Sequence, residues 1–354
     1  MKKLMLALAL VLLGATATGC TPPQDGGSTE KSTVSDYFPA TENTRYSYMG
    51  EGNEYASYTV HTDYTYKDRI QYRKDNGGTI MAEVMELDRE TGMAKIYSRG
   101  EFYYREDFLR NESLMWGDRG EEEILLKEPI ETGNSWTLED GRKREITGVD
   151  VEVKVPYGDF KALEVTTTGD EYENVDYYVK ELGLVKSVFR AEGHEISSSL
   201  ESVEKDMPYV QNINFYYPNL DENRYYYMNT EVEFRTNDIT RKRLETVYIE
   251  KSGIDLESRG LGAVFTENTE INYMYLGEDR AVYIDLNRAF VDEVNAGAQY
   301  ESMILQSIAN TFGGYYGVER VYLTIDGGDY ESGHIVLKKG EYLKVNTENA
   351  VEID

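Results

Sequence analysis

Apolar and polar side chains alternate one by one along most of the first half of the chain, and this pattern is the strongest constraint on its fold. Val60 and Thr62, for example, alternate with His61 and Asp63. Such alternation is typical of a strand with one buried face and one face in water. Turn signals, among them an Asn-Gly dipeptide, separate the runs. We therefore expect residues 37–205 to form an all-β antiparallel domain, built as a curved sheet, a barrel or a sandwich.

The periodicity changes near residue 205, where helical spacing begins to alternate with short strands. One helix is predicted over Ile239 to Lys251, and a second over the stretch QYESMILQSIANTFGG, with Gly313 as its C-cap. The order β-β-α-β-β-α-β suits two helices packed on a small sheet. The predicted fold class is thus α+β, with an α+β domain over residues 207–345 and a tail over 346–354.

The first residues of the chain have the order of a secretory signal. Lys2 and Lys3 precede an apolar run from Leu4 to Leu13, and small residues follow. The run is too short for a transmembrane helix, which needs about 20 apolar residues. We expect residues 1–19 to be a signal peptide.

The only cysteine of the chain, Cys20, follows this segment directly, so no intramolecular disulfide is possible. The sequence Ala17-Thr18-Gly19-Cys20 resembles a bacterial lipobox, although that family more often has leucine at the position of Ala17. The resemblance implies cleavage before Cys20 and a lipid on its sulfur. The alternative is an ordinary signal peptide with a chance cysteine.

The segment from Cys20 to Asp36 is rich in Pro, Gly, Ser, Thr and charged residues. Such a composition cannot bury a core, so residues 20–36 are predicted to be a flexible tether. With the lipid on Cys20, the expected location is the cell membrane, lipid-anchored, on the extracytoplasmic face of a Gram-positive-type bacterium.

The chain is strongly acidic, with a formal net charge of −28 at pH 7. Removal of residues 1–19 takes away two lysines and no acid, which makes the charge −30. A surface of this sign repels nucleic acid phosphates, so no nucleic acid partner is expected. It also repels anionic lipid headgroups, and we therefore assign membrane attachment to the lipid.

Three stretches of the second half carry a family resemblance: RAVYIDLNRAF, SMILQSIANTF and GVERVYLTIDG. They resemble the GerMN domain of bacterial sporulation and germination lipoproteins, over about Met207 to Val345. The residues that match the family pattern are Asp285, Leu286, Phe290, Thr311, Phe312, Asp326 and Gly327. The resemblance implies a fold similar to ring-building motifs, which join through sheet and helix surfaces. Asp285 and Asp326 are interpreted as turn-forming residues rather than ligands.

No constellation of catalytic residues is recognisable in the sequence. The chain has three widely separated histidines, which are His61, His194 and His334. A nucleophile elbow, a His-Glu-x-x-His motif and a phosphate loop are all lacking. Asp326, Asp329 and Glu331 do not have calcium-loop spacing. We expect no enzyme activity, no metal and no cofactor.

The sequence therefore predicts a membrane-anchored binding or assembly protein of the cell envelope, acting in sporulation or spore germination. Its expected partners are envelope or sporulation proteins, including further copies of itself. Tyr216, Arg320 and Tyr322 are the candidate contact residues, chosen as strand positions that look exposed. Two alternatives stay open: a carrier with a hydrophobic or carbohydrate ligand in the β domain, and a cell-wall hydrolase.

Overall fold

The computed structural model describes residues 31–88, 90, 92–116, 122–252, 256–294 and 296–353. The predicted signal peptide, Cys20 and most of the predicted tether lie outside the described residues. Residues Thr33–Asp354 form one compact unit. Within the described part, no helix is long and apolar enough to cross a membrane.

The first half forms one large antiparallel sheet, as the alternating pattern predicts. Its strands follow the order β6-β5-β4-β3-β2-β1-β12-β11-β10-β9-β8-β7. Their bounds are β1 Thr44–Glu51, β2 Tyr58–Tyr66, β3 Arg69–Asp75, β4 Ile80–Asp88, β5 Gly92–Arg99, β6 Glu123–Leu126, β7 Ser135–Thr137, β8 Lys143–Val155, β9 Gly158–Thr168, β10 Tyr172–Val179, β11 Gly183–Ala191 and β12 His194–Lys205.

The sheet curls until its two edges meet. Trp136 on β7 donates a hydrogen bond from Nε1 to the backbone oxygen of Ile124 on β6, at 2.9 Å. Arg144 on β8 reaches Glu123 on β6, with Nη1 and Oε1 separated by 3.2 Å. These contacts close the curved sheet through side chains, without a backbone ladder between β6 and β7.

Asp63 on β2 departs from the predicted alternation of buried and exposed side chains. The sequence pattern predicts that the Asp63 side chain lies on the solvent-facing side of the strand, but Asp63 is 0% exposed. The pairing of β2 with β3 shifts between Thr62 and Tyr64, and such a bulge turns the following side chains to the other face. Asp63 now accepts hydrogen bonds from Arg73 and Arg105, which are buried as well.

The second half contains the remaining strands and the three described α-helices. Two sheets form, with the orders β13-β14-β21 and β15-β16-β17-β18-β19, and β20 pairs with β17. The bounds are β13 Tyr209–Asn219, β14 Arg224–Phe234, α1 Thr240–Ser252, β15 Ile271–Leu276, β16 Val282–Leu286, α2 Arg288–Glu293, α3 Ala298–Tyr316, β17 Arg320–Ile325, β18 Gly328–Glu331, β19 Val336–Leu337, β20 Leu343–Lys344 and β21 Val351–Glu352.

The helices differ from the prediction in two respects. The short helix α2 between β16 and α3 was not predicted, because six residues are too few to show a helical period. The C-cap of α3 is Gly317, in the left-handed conformation, and the prediction of Gly313 is wrong. Gly313 lies inside the helix, where a β-carbon would come within 2.2 Å of Val345 Cγ2.

The largest hydrophobic core contains residues from both halves of the chain. From the first half it takes Val84, Tyr97 and Phe108, and from the second half Phe234 and Tyr316, among others. The strands β2 to β5 thus bury one face against the second half. The predicted boundary near residue 205 coincides with the change of sheet, although the core continues across it.

The packed part of the chain begins earlier than residue 37. Val34–Tyr37 form a 3₁₀-helix, and both end residues are buried in a core with strands of the first sheet. Val34 is the one large apolar residue of the predicted tether, and its burial removes this side chain from water.

Candidate interaction surface

A row of tyrosines crosses the small sheet of the second half. Tyr273 and Tyr275 lie on β15, Tyr283 on β16, Tyr322 on β17 and Tyr342 just before β20. We call this set the tyrosine ridge. Tyr273 and Tyr342, at its two ends, are 39% and 46% exposed, and the other three are half-buried.

The rings of the ridge stack on each other across the strands. The ring centroids of Tyr275 and Tyr283 are 5.2 Å apart, and those of Tyr283 and Tyr322 are 4.9 Å apart. The ring planes of these two pairs differ by only 9° and 15°. Parallel rings at the spacing of neighbouring strands must stand upright on the sheet, so the ridge presents ring edges and hydroxyls to solvent.

The register of the strands builds the ridge. Tyr275 is the direct partner of Tyr283 on the antiparallel neighbour, and Tyr283 is the partner of Tyr322 on the parallel neighbour. The residues on either side of Tyr283 and of Tyr322 are buried in the core. The similar triplets Val-Tyr-Ile in β16 and Val-Tyr-Leu in β17 are the sequence signal from which Tyr283 could have been found.

Polar contacts hold the ridge in place. The Tyr283 hydroxyl donates to Asp279 Oδ2 at 3.3 Å, and the hydroxyls of Tyr273 and Thr324 are 3.0 Å apart. Partial burial, with Asp279 nearby, raises the pKa of Tyr283 above its ordinary value. The hydroxyl therefore stays protonated at neutral pH and can donate a hydrogen bond.

The structure brings two of the predicted contact residues together at one end of the ridge. Arg320 forms an ion pair with Asp279, with Nη2 and Oδ2 separated by 3.5 Å, and its guanidinium lies 5.8 Å from the ring centroid of Tyr342. Tyr322 contacts the same ring edge-on, at 5.7 Å between centroids. Arg320 and Tyr322 are thus part of one continuous, partly exposed surface.

Tyr216 does not belong to this surface. It lies on β13, in the other sheet of the second half, and its side chain is only 7% exposed. Its ring packs 5.3 Å from that of Tyr227, and its backbone oxygen accepts a hydrogen bond from the hydroxyl of Tyr248. The expectation that Tyr216 is exposed is wrong, because both faces of β13 are covered at this point.

Asp285 and Asp326 take part in the turn between β17 and β18. Asp285 accepts hydrogen bonds from the Thr324 hydroxyl, from the backbone nitrogen of Gly327 at 2.8 Å and from Asn272 Nδ2 at 2.8 Å. Asp326 has a φ of 49° and accepts a longer bond from Asn272. The bond from Gly327 fixes the turn, and the bonds from Asn272 connect Asp285 and Asp326 to β15.

Metal chemistry finds no support in the described part of the chain. No group of three or more His, Cys, Asp or Glu side chains there could hold a metal ion. The ring of His61 packs against Tyr209 at 5.3 Å, and burial lowers the pKa of His61 to about 4, so this side chain is neutral at pH 7.

These features define a mostly β-strand protein whose α+β part presents an ordered aromatic surface. The family described as "Germane: Sporulation and spore germination" matches residues 214–331. These residues are a domain of that family, and the chain is a GerMN-domain protein. The resemblance over Met207 to Val345 is thereby confirmed for the matched part.

Solved structures of two kinds are similar to the chain over part of its length. The tandem GerMN domains of the sporulation protein GerM from Bacillus subtilis share 17% identity at a TM-score of 0.30, covering 38% of this chain and 46% of that one. The chain thus spans about half the length of that structure. An exported protein with a YmcC-like fold from Bacteroides fragilis shares 12% identity at a TM-score of 0.26, covering 48% of this chain and 100% of that one. No curated protein matches the chain.

Proposed function

We propose that the protein is a non-catalytic assembly protein of the cell envelope in sporulation or spore germination. It is held at the extracytoplasmic face of the membrane by a lipid on Cys20, and it binds a protein partner through the tyrosine ridge. The ridge is the observation that carries the proposal, and the family of residues 214–331 supplies the biological setting.

The energetics of the ridge suit protein recognition. A fully buried tyrosine removes about 150–250 Å² from water, and a standard interface buries about 800 Å² per partner. The ridge can therefore supply the centre of an interface of ordinary size. Because stacking and hydrogen bonds already fix Tyr273, Tyr283 and Tyr322, little side-chain entropy is lost on binding.

Capture of the partner from the membrane fraction of sporulating cells tests the proposal. The full chain carries Tyr322→Ala or Tyr283→Ala, and the partner is recovered by cross-linking. Truncation of a central aromatic contact is expected to cost 2 kcal/mol or more, roughly a thirtyfold loss of affinity. Cys20→Ala should release the chain from the membrane fraction while leaving the ridge intact.

Tyr157→Ala provides a matched control. Tyr157 is also exposed and also stacks on a ring, that of Phe160 at 6.1 Å, but it lies in the first half. This variant should capture the partner as the unchanged chain does. If both ridge variants keep partner capture and the sporulation phenotype while folding normally, the ridge is not the binding surface and the proposal fails.

A further inference from the structure

The curled sheet of the first half lines a partly open cavity of about 260 Å³. Its walls come from strands of the curled sheet and from Tyr37, Phe38 and Pro39. Tyr37 ends the 3₁₀-helix described above, and Phe38 and Pro39 follow it. Lys74 on β3, Glu83 on β4 and Lys95 on β5 are among the residues that line this space. The ridge lies on a different sheet, so the cavity has no part in the function proposed above.

The charged groups of the lining balance each other. Three are basic and three are acidic: Lys74, Lys95 and Arg144, against Glu83, Glu123 and Asp176. Lys95 Nζ lies 2.9 Å from Glu123 Oε2, and Arg144 binds both Glu123 and Asp176, the latter at 2.9 Å. A ligand with a net charge would gain no compensation from such a wall.

The lining nevertheless has hydrogen-bonding capacity to spare. The Lys74 ammonium rests 4.0 Å from the Tyr58 ring centroid and forms no ion pair in the described part of the chain. The Glu83 carboxylate accepts no hydrogen bond there. Lys74 and Glu83, which line one space, thus offer an unused donor and an unused acceptor, and a hydroxyl is the group that can serve both.

Aromatic faces complete the lining. Tyr72 and Tyr178 contribute rings that stack on no other aromatic ring of the described residues. The Tyr72 hydroxyl donates to the backbone oxygen of Pro39 at 2.8 Å, which fixes the ring in place. A fixed aromatic face offers an apolar platform to a flat ligand whose edge carries polar groups.

We propose that this cavity binds a neutral, polyhydroxylated ring, that is, a single sugar unit. The hydroxyls bond to Lys74 and Glu83, and the ring face lies on Tyr72 or Tyr178. The volume of the cavity is consistent with a single sugar ring. An apolar cavity of about 150 Å³ accommodates benzene, and the additional volume of this cavity provides space for hydroxyl groups on a ring of similar size. An acyl chain would leave the charged wall without hydrogen bonds, which is costly.

Calorimetric titration of the purified full chain tests the proposal. The probes are glucose, galactose, mannose and N-acetylglucosamine, with dodecanoate and glutamate as the apolar and the charged alternatives. At least one sugar should saturate the protein at about 10 mM, as a Kd near 1 mM requires. Tyr72→Leu and Lys74→Met should each weaken that sugar about tenfold, the loss expected for one aromatic contact or one charged hydrogen bond.

Two controls separate the cavity from the rest of the molecule. Tyr72→Phe keeps the ring but loses its bond to Pro39, so this variant should bind sugar more tightly than Tyr72→Leu does. Lys154→Met removes an exposed lysine outside the cavity and should change nothing. Far-ultraviolet circular dichroism establishes that each variant is folded. The proposal is overturned if no sugar saturates the chain, if dodecanoate or glutamate binds in a manner that Tyr72→Leu abolishes, or if the Tyr72→Leu and Lys74→Met variants bind sugar as the unchanged chain does.

Discussion

Glu106 is a buried carboxyl group with an incomplete set of hydrogen bonds. It is 5% exposed, its Oε1 accepts from the backbone nitrogen of Leu276 at 3.1 Å, and its Oε2 has no partner among the described residues. Burial raises the pKa of Glu106 to about 8, against an ordinary value of 4.5. The folded chain therefore holds this proton at pH 7, whereas the unfolded chain releases it.

The free energy of unfolding should consequently fall as the pH rises from 4.5 to 8. The folded state binds the extra proton in this range, so the slope from this group is at most about 1.4 kcal/mol per pH unit. Glu106→Gln removes the titrating group and should flatten the profile, raising stability at pH 8 relative to pH 4.5. Urea unfolding across this range measures the effect.

Glu54→Gln is the control for this pH profile, because Glu54 lies exposed in the loop between β1 and β2. This variant should keep the slope of the unchanged chain. An identical slope for Glu106→Gln would show that Glu106 is ionised in the folded state.

Single residues also show where sequence reasoning ends. The alternation along β2 is right up to Thr62, but the bulge at Asp63 depends on Arg73 and Arg105, which are 10 and 42 residues away. The Arg105 side chain also donates to the backbone oxygens of Arg235 and Asp238. A local pattern cannot reveal a buried ion cluster whose members come together only through tertiary packing.

At the scale of elements, helix α3 contains two neighbouring glycines, and replacing each by alanine should change the stability of the chain in opposite directions. A β-carbon at Gly313 would lie 2.2 Å from Val345 Cγ2 and 3.1 Å from the backbone oxygen of Val318, whereas one at Gly314 would meet nothing within 4 Å. Gly313→Ala should therefore destabilise the chain by about 1–3 kcal/mol through overpacking. Gly314→Ala should stabilise it by about 0.5–1 kcal/mol, since alanine loses less backbone entropy in a helix.

Thermal and urea unfolding of both alanine variants measures this difference. A stabilising Gly313→Ala would mean that Val345 can move away at little cost and that the contact between α3 and the segment after β20 is loose. The result bears on the ridge as well, because β20 pairs with β17, which carries Tyr322.

The helices and strands themselves were largely predictable from the sequence. What each face of a strand packs against was not predictable. The helical stripe of α3 and the alternation of β16 and β17 give the right elements and the right core residues. In β4, however, Val84 faces the core shared with the second half while Glu83 lines the cavity. An alternating pattern distinguishes two faces but does not say whether the polar one meets bulk water or an internal cavity.

At the scale of the whole molecule, the shared core determines how the chain unfolds. That residues 37–205 and 207–345 form two separate domains stays a prediction. Because buried side chains of both halves form one core, each half alone would expose apolar surface that the whole chain buries. We expect the full chain to unfold in one transition, and each isolated half to unfold at a lower temperature or without a cooperative transition.

Differential scanning calorimetry of the three proteins, with a near-ultraviolet spectrum of each, makes this measurement. Two transitions in the full chain that coincide with those of the separate halves would show instead that the halves are independent domains and that the shared core contributes little.

The 3₁₀-helix Val34–Tyr37 gives the molecule a mechanical property. Its side chains Val34 and Tyr37 are buried in a core with strands of the first sheet, and the residues that follow, Phe38 and Pro39, form part of the cavity wall. A force that pulls on Thr33 therefore acts on residues that also line the cavity. A molecule inside the cavity would share that load, so occupancy and the force needed to peel away this end of the chain should rise together.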